Sequence, residues 1–229
     1  MRRHLLFLAL RNKMCYNVDK IKAVIIVAYI SAILGGYLLG SSSMAFYLSK
    51  WKAVDIRTKG SGNLGASNTT TLLGWWAGIL VALHDVGKAV LAVILAKLVF
   101  PQAENIGAVA GVACVLGHIF PFYLKFKGGK GFASFWGMTL ALNWKLALVL
   151  AVVSVIITVV TDYISLATTA TAVSVPVWLG FSTHSLLLML IVFVATAVIL
   201  YKHMENYRRI LKGEELGLRG AVKGENRIK

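Results

Sequence analysis

Residues 72–100 read LLGWWAGILVALHDVGKAVLAVILAKLVF, and this stretch decides the fold class of the chain. It is apolar over more than the roughly 20 residues that a helix needs to span the hydrocarbon core of a bilayer. Near its middle stand Asp85 and Lys88, whose spacing puts them on one face of a helix, where they can form an ion pair. Charges at membrane depth are costly unless they pair or face a cavity. The pair therefore has two readings, a structural contact or the support of an active site.

Five further apolar runs surround this stretch, at residues 24–47, 106–123, 132–160, 164–181 and 185–201. Across the 229 residues, 58% are hydrophobic and only 14% are charged, against roughly 25% charged in a soluble domain. Lipid must therefore cover much of the surface. Asn143, Trp144 and Lys145 interrupt the run 132–160, which we interpret as two short helices. One long tilted helix would reduce the seven spans to six.

Small residues four positions apart indicate how these helices pack. The pairs are Gly36 with Gly40, Gly74 with Gly78, and Gly107 with Gly111. In lipid, such pairs let helix backbones approach closely. The sequence thus predicts an all-α integral membrane protein, a compact bundle of about seven transmembrane helices with Gly-rich cytoplasmic loops. The two cysteines and five histidines lack the spacing of a metal site, so no metal is expected.

Basic residues give the chain a formal net charge of +15 and indicate its orientation. They gather in the loops 49–71 and 124–131 and in the tail from residue 202, which share one side of a seven-helix bundle. Because cytoplasmic loops carry an excess of Lys and Arg, we expect that side to be cytoplasmic. Cations between apolar runs suit anionic lipid headgroups, so no nucleic-acid partner is expected. The six Lys and Arg of residues 1–22 argue for the opposite orientation.

The two ends of the chain differ in composition from the part between them. Residues 1–22 form a basic N-terminal extension, whose apolar stretch at 5–10 precedes no cleavage site, so no signal peptide is predicted. Met14 is an alternative start. Residues 23–214 are expected to form the transmembrane domain, and residues 215–229 a polar, disordered tail.

Three polar clusters fall at predicted helix ends on the cytoplasmic side. The first, residues 55–68, reads DIRTKGSGNLGASN, and its glycines let successive backbone N–H groups point at one anion. The second joins GHIFP at residues 117–121 to FKGGKG at residues 126–131, which adds a lysine cation to free backbone donors. The third, residues 203–209, reads HMENYRR and places His203 and Asn206 on one helix face.

Each cluster also has a plainer interpretation. The first can be a connecting loop, the lysines of the second can contact lipid headgroups, and a lone His118 is more often structural than catalytic. The second cluster lacks the spacing of a nucleotide-binding P-loop, so no nucleotide is expected. Together, three clusters suited to phosphate on one side of a bundle indicate a phosphorylated ligand close to lipid.

These segments resemble the bacterial acyl-phosphate:glycerol-3-phosphate acyltransferase family, often called PlsY. The resemblance extends over nearly the whole chain and rests on the order and spacing of the three clusters, with Asp85 and Lys88 matching the family's Asp-x-x-Lys. It implies transfer of an acyl group from acyl phosphate to the 1-hydroxyl of glycerol 3-phosphate, giving lysophosphatidic acid and phosphate. It further implies seven helices in the bacterial cytoplasmic membrane, an active site facing the cytoplasm, and no cofactor or metal. The partners are then acyl phosphate, glycerol 3-phosphate and membrane lipids.

The resemblance also assigns roles to individual residues. Those expected to be catalytic are Ser61, Lys130, His203 and His118. Those expected to bind substrate are Gly60, Gly62, Asn63, Gly65, Asn68, Lys127, Gly128, Gly129, Gly131, Asn206, Arg57 and Arg209. Lys130 is the main cationic contact and His118 a candidate base or structural support, while the leaving phosphate is an alternative proton acceptor.

Three positions depart from the family pattern. Thr71 and Met204 stand where the family usually has Arg, and Ala89 replaces a usual Gly. Losing the first Arg removes a bidentate phosphate donor, for which Arg57 or Arg209 can compensate. These departures leave open a different acceptor or a non-catalytic paralogue. An anion or lipid transporter, with a site lined by helix ends and glycine breaks, is a further alternative.

Overall fold

The structure is a computed structural model that describes residues 2–222 of the chain, and side chains for residues 21–220. Regular structure in this part is helical throughout, with a single 3-10 turn at Phe122–Leu124. The helices are α1 (Arg2–Ser41), α2 (Met44–Trp51), α3 (Ala66–Leu73), α4 (Trp75–Val99), α5 (Ile106–Ile119), α6 (Phe132–Leu142), α7 (Trp144–Thr161), α8 (Ile164–Thr183), α9 (Leu186–Leu211) and α10 (Leu218–Val222).

The break predicted inside the run 132–160 is confirmed, because α6 ends at Leu142 and α7 begins at Trp144. Asn143 makes the turn, and its side-chain oxygen accepts a hydrogen bond of 3.0 Å from the backbone N–H of Leu146. An N-cap of this kind satisfies one of the N–H groups left free at a helix start. Six helices of the described part are long and apolar enough to cross a membrane, whereas α6 has only 11 residues.

The centre of the bundle is α5, which packs against α1, α4, α6 and α9. Within its apolar window 72% of the residues are buried, compared with 17% for α7, whose valines and leucines face outward. An apolar outward face of this extent is rare in a soluble protein and suits lipid. The prediction of an all-α membrane bundle is confirmed.

The tightest helix contact is between α1 and α5, which run parallel. A Cβ atom added at Gly36 would lie 2.4 Å from the carbonyl oxygen of Ala110, and one at Gly40 would lie 2.0 Å from that of Cys114. No side chain fits in either place. The close approach predicted for the Gly36 and Gly40 pair is therefore confirmed, and it follows the small-residue rule of membrane helices.

One end of the bundle collects the polar clusters, and we call it the site end. The hydroxyl of Tyr37 donates to the carbonyl of Phe120 at 2.7 Å, which places the last turns of α1 and α5 together there. The hydroxyls of Thr169 and Tyr207 lie 2.5 Å apart, which joins the start of α8 to the end of α9. At the opposite end, the hydroxyl of Tyr29 reaches the carbonyl of Glu104 before α5 begins.

Candidate active site

Lys130 lies in the short loop that connects α5 to α6 at the site end. Gly128 and Gly129 donate their N–H groups to the carbonyls of Ile119 and His118, each at 3.1 Å, so that the loop folds back onto the end of α5. Gly131 then begins α6 with φ at 93°, a left-handed conformation that favours glycine. These contacts hold Lys130 at the helix start, half-buried, while Lys127 stays exposed.

Lys130 heads a chain of polar contacts that runs to the C-terminal segment. Its ammonium donates to the Oδ1 atom of Asn206 on α9, and the Nδ2 of Asn206 donates to Glu215. The other carboxylate oxygen of Glu215 accepts from the Nε of Arg209 at 2.6 Å. The structure therefore joins Lys130, Asn206 and Arg209, as their assignment to one site requires, and adds Glu215 to them.

The charge of Lys130 is sensitive to its surroundings. The pKa of its ammonium is lowered to about 8, chiefly by burial and then by the neighbouring guanidinium of Arg209, while Glu215 acts in the opposite direction. A burial-depressed pKa of this kind is common at functional sites, although structural ion pairs also produce it. The group is protonated at neutral pH and available to an anion.

His203 lies one turn before Asn206 on the same buried face of α9. Its Nδ1 atom lies 2.8 Å from the carbonyl oxygen of Ile199. A carbonyl only accepts, so Nδ1 carries the proton and Nε2 is left as an acceptor. This arrangement presents a proton-accepting nitrogen beside the end of α9.

The glycine-rich loop before α3 is organised by Asn68, which is only 4% exposed. Its Oδ1 accepts from the N–H of Ser61 at 2.9 Å, and its Nδ2 contacts the carbonyls of Ile56, Lys59 and Asn63 at 3.0–3.3 Å. All of these contacts stay within the loop. Asn68 therefore shapes the loop from beneath, while Ser61 and its glycine neighbours are exposed to ligand.

The two glycines next to Ser61 have the conformation that the loop needs. Gly60 and Gly62 have φ of 59° and 67°, and a Cβ atom at Gly60 would lie 2.2 Å from the Oδ1 of Asn68. Gly65 is the N-cap residue of α3. Among the hydrogen bonds of the described residues, none joins this loop to Lys130 or Asn206, so the loop and the Lys130 contacts form two hydrogen-bonded groups.

Arg57, also expected to bind substrate, forms an ion pair with a neighbouring residue. Its guanidinium pairs with the carboxylate of Asp55 through Nε and Nη2 at 2.9 and 2.8 Å, on the exposed surface of the loop. This hydrogen bonding lowers the pKa of Asp55 to about 2 and raises that of Arg57. A phosphate group would have to compete with Asp55 for it.

The pairing predicted for Asp85 and Lys88 is confirmed, with Nζ 2.8 Å from Oδ1 and both side chains buried. His118 joins them, since its Nδ1 lies 3.0 Å from the Nζ of Lys88. Its other ring edge lies against Gly129, where an added Cβ would be 2.0 Å from Nε2. His118 is thus enclosed behind the loop that carries Lys130, which we call the lysine loop. Across the side chains the structure describes, no three His, Cys, Asp or Glu residues are placed to hold a metal ion.

A family model described as "Glycerol-3-phosphate acyltransferase" matches residues 30–213 of the chain, from α1 to the last turn after α9. The chain belongs to the glycerol-3-phosphate acyltransferase family. The match contains all three polar clusters, and the family predicted from the sequence is confirmed, as is the enzyme class that follows from it.

Individual family members are similar over almost their full length. A glycerol-3-phosphate acyltransferase of Coxiella burnetii (strain CbuG_Q212) is 38% identical over 190 residues, covering 82% of this chain and 97% of the relative. One from Prochlorococcus marinus (strain MIT 9301) is 37% identical over 188 residues, covering 80% and 94%.

Solved structures agree with this. The crystal structure of PlsY (YgiH), an integral membrane glycerol 3-phosphate acyltransferase, is similar in its glycerol 3-phosphate form with a TM-score of 0.79 and 33% identity. It covers 85% of this chain and 98% of that one. The lysophosphatidic acid form gives a TM-score of 0.76 and 32% identity, with the same coverage.

The three departures from the family pattern have different surroundings in this acyltransferase. Thr71 is exposed on α3, and its hydroxyl donates to the carbonyl of Ser67 at 3.2 Å. Met204 is 46% exposed and lies outside the buried face of α9 that carries His203 and Asn206. Ala89 is fully buried in the helix core beside Lys88. Of the two arginines expected to compensate for Thr71, Arg209 is the one next to Lys130.

Proposed function

We propose that the chain transfers a fatty acyl group from acyl phosphate to the 1-hydroxyl of glycerol 3-phosphate, as a membrane acyltransferase of phospholipid synthesis. The products are lysophosphatidic acid and phosphate. The observation that carries the proposal is the chain of contacts from Lys130 through Asn206 and Glu215 to Arg209. It places a lysine and an arginine side by side at the site end, where a phosphate group needs them.

In this reaction the protein contributes mainly the positions of the two reactants and the charges that stabilise the transition state. The hydroxyl oxygen attacks the acyl carbonyl carbon, the bond between that carbon and the phosphate oxygen breaks, and phosphate leaves with the electron pair. The hydroxyl proton passes to a base or to the leaving phosphate. Since acyl phosphate is an activated anhydride, holding both reactants in line and stabilising the oxyanion can supply much of the rate.

The two hydrogen-bonded groups suit the two phosphates of this reaction. We assign the phosphate of glycerol 3-phosphate to Lys130, Asn206 and Arg209, because these residues are joined to one another. The exposed loop around Ser61 then suits the acyl phosphate and its developing oxyanion through the Ser61 hydroxyl, since the N–H groups of Ser61 and Gly62 already bond to Asn68 and Lys59. Both phosphates would approach from the site end, and the acyl chain from the surrounding lipid.

Of the two candidate histidines, His203 fits the role of proton acceptor better. Its proton lies on Nδ1, bound to the carbonyl of Ile199, and this leaves Nε2 as the accepting atom. His118 is enclosed between Lys88 and Gly129 instead. We therefore assign His203 to the acceptor hydroxyl, and His118 to support of the lysine loop.

The chain crosses the membrane seven times in this proposal. Lys130 precedes α6 and contacts Asn206 at the site end, whereas α7, α8 and α9 account for three further crossings that return to that end. The chain must therefore reach the opposite end before α7 begins, and α6 is the helix that takes it there, although it has 11 residues. A short crossing helix is tolerated when protein surrounds it, and α6 packs against α4, α5 and α7.

We further propose that the site end faces the cytoplasm of a bacterial plasma membrane, because the basic loops lie at that end. Cysteines placed at Lys59 and Lys145, in a background without Cys15 and Cys114, test this with a membrane-impermeant thiol reagent. Intact cells should be labelled at position 145 alone, and disrupted cells at both. Labelling of position 59 in intact cells would reverse the orientation.

The choice of donor tests the reaction itself. Purified protein is supplied with labelled glycerol 3-phosphate and either palmitoyl phosphate or palmitoyl-CoA. We expect labelled lysophosphatidic acid with palmitoyl phosphate alone, and one phosphate released for each product molecule. Product formed equally well from palmitoyl-CoA would contradict the proposed donor.

A further inference from the structure

The ammonium group of Lys88 is buried and makes three contacts. Its Nζ lies 2.8 Å from Oδ1 of Asp85, 2.7 Å from the carbonyl oxygen of Ser42 and 3.0 Å from Nδ1 of His118. An ammonium has three protons, so each contact can use one. The Ser42 carbonyl lies at the break between α1 and α2, where an intrahelical partner is missing. Lys88 therefore ties α1, α4 and α5 together at the site end.

His118 connects Lys88 to the lysine loop. Nδ1 of His118 faces the ammonium of Lys88 at 3.0 Å and Oδ1 of Asp85 at 3.3 Å. With Nδ1 accepting the hydrogen bond from Lys88, the ring proton is on Nε2, on the edge that lies against Gly129. The carbonyl of His118 accepts the N–H of Gly129, and a Cβ atom at Gly128 would lie 2.0 Å from that same oxygen. Ring and carbonyl together form the surface on which the loop rests. Lys130 is the next residue after this contact.

We propose that Lys88 is a positioning residue for Lys130, acting through His118 and the Gly128–Gly129 backbone. It rests on the proposed function, which gives Lys130 the substrate phosphate. Asp85 pairs with the Lys88 ammonium, and Lys88 in turn fixes the His118 ring. Without it, the ring keeps only Asp85 beside Nδ1, at 3.3 Å, and the loop loses the fixed surface that sets the place of the Lys130 ammonium. A displacement of about 1 Å at such a group is enough to cost roughly 100-fold in rate.

A double-mutant cycle separates positioning from general support of the fold. Lys88→Met is expected to lower kcat/KM for glycerol 3-phosphate by about 10- to 100-fold in the wild-type background. In a Lys130→Ala background, the same change should have little further effect, because the group it positions is gone. Effects that simply multiply would show that Lys88 acts independently of Lys130 and would overturn the proposal.

Removing both buried charges controls for stability. Asp85→Leu combined with Lys88→Met leaves no unpaired charge, and such replacements are often neutral for folding. We expect this double variant to fold and still have the low kcat/KM of Lys88→Met. Recovery of wild-type kcat/KM would mean that the ion pair serves stability alone.

Where Lys88 variants fail to fold, two substitutions of His118 carry the same test. The amide of Asn lies near the position of Nδ1, and that of Gln near the position of Nε2. His118→Asn can keep an acceptor for Lys88, so it should retain about 10-fold more activity than His118→Gln. Equal activity, or a more active Gln variant, would contradict a role through Lys88.

Hydrogen exchange measures the loop independently of activity. The N–H groups of Gly128 and Gly129 are hydrogen-bonded to α5, so peptides from this loop should exchange faster in Lys88→Met while α9 is unchanged. Unchanged exchange in the loop would refute the positioning role even if the chain has another substrate. Faster exchange in a chain that makes no lysophosphatidic acid would instead retain the positioning role and remove the proposed function.

Discussion

Replacing Glu215 with Gln exchanges a carboxylate for an amide of the same size where Asn206 and Arg209 meet. The carboxylate accepts one hydrogen bond from each of them. Gln has a single accepting oxygen, so its NH2 group must face one of these donors. If it faces Asn206, that amide must rotate and turn its Nδ2 toward the ammonium of Lys130. If it faces Arg209, the guanidinium loses its partner.

Either outcome removes at least one charge-assisted hydrogen bond from the site. Such a bond contributes about 1.5–3 kcal/mol. At about 1.4 kcal/mol for each factor of ten, Glu215→Gln should lower kcat/KM for glycerol 3-phosphate by about 10- to 150-fold.

The pH dependence of the reaction should move as well. We propose that Lys130 binds phosphate in its protonated form. Because its pKa is lowered to about 8, kcat/KM should fall as the pH rises through that value. The negative charge of Glu215 raises the pKa of Lys130. Removing that charge lowers the pKa further, and the alkaline fall should begin at a lower pH in the variant.

Initial rates of labelled lysophosphatidic acid formation, measured across the neutral and alkaline range, test both effects. The matched control is Glu214→Gln, which makes the same charge change one residue earlier at an exposed position. It should have wild-type kinetics. If Glu215→Gln has the same kcat/KM and pH profile as this control, the reasoning that connects Glu215 to Lys130 is refuted.

Two further substitutions test the packing and the glycine-rich loop. Gly40→Ala forces a Cβ against the carbonyl of Cys114 and should destabilise the bundle by about 1–3 kcal/mol. The control Gly35→Ala meets no atom within 4 Å and should leave stability unchanged. Circular dichroism melting curves compare the two variants, and equal melting temperatures would contradict the close approach. Asn68→Ala removes the contacts that shape the glycine-rich loop and should raise KM for the phosphate substrates about 10-fold. The KM of the control Ser67→Ala should stay near the wild-type value. Steady-state kinetics measure both, and a wild-type KM for Asn68→Ala would show that the loop keeps its shape without Asn68.

Much of the fold could be predicted from apolar length and polar breaks. Asn143 was recognisable because a polar cap followed by Trp and Lys ends one apolar run and begins another. The short helices α2 and α3 could not be predicted, because they lie in polar loops without a clear period. The start of α1 was also hidden, since charged residues end an apolar run without ending the helix, which continues back to Arg2.

The site could be predicted in part, for physical reasons. Lys130 and Asn206 each follow a recognisable helix end, and the path of the chain brings those ends together. Glu215 lies in the segment expected to be a polar tail, although Gly213, with φ of 69°, turns the chain back and the N–H of Glu214 bonds to Arg209. A glycine after a helix followed by glutamates was the available signal. The domain boundary expected after residue 214 therefore falls within the segment that packs against α9. Residues 223–229 of the expected tail lie outside the described residues.

The Asp85 and Lys88 pair was predictable from its spacing, but its partners were not. His118 reaches it from α5 and the Ser42 carbonyl from the end of α1, and contacts between distant segments leave no local pattern. The sequence therefore indicated a paired charge in the membrane without revealing that it lies behind the Lys130 loop.

We propose that Lys130 holds substrate phosphate while an acyl group moves from acyl phosphate to glycerol 3-phosphate. The most direct measurement is the rate of labelled lysophosphatidic acid formation from palmitoyl phosphate by purified wild type, Lys130→Ala and Lys125→Ala, the last being an exposed lysine of the same loop. We predict product from wild type and Lys125→Ala, and a loss of about 100-fold or more in Lys130→Ala. Absence of product from folded wild type, or full activity of Lys130→Ala, would contradict the account.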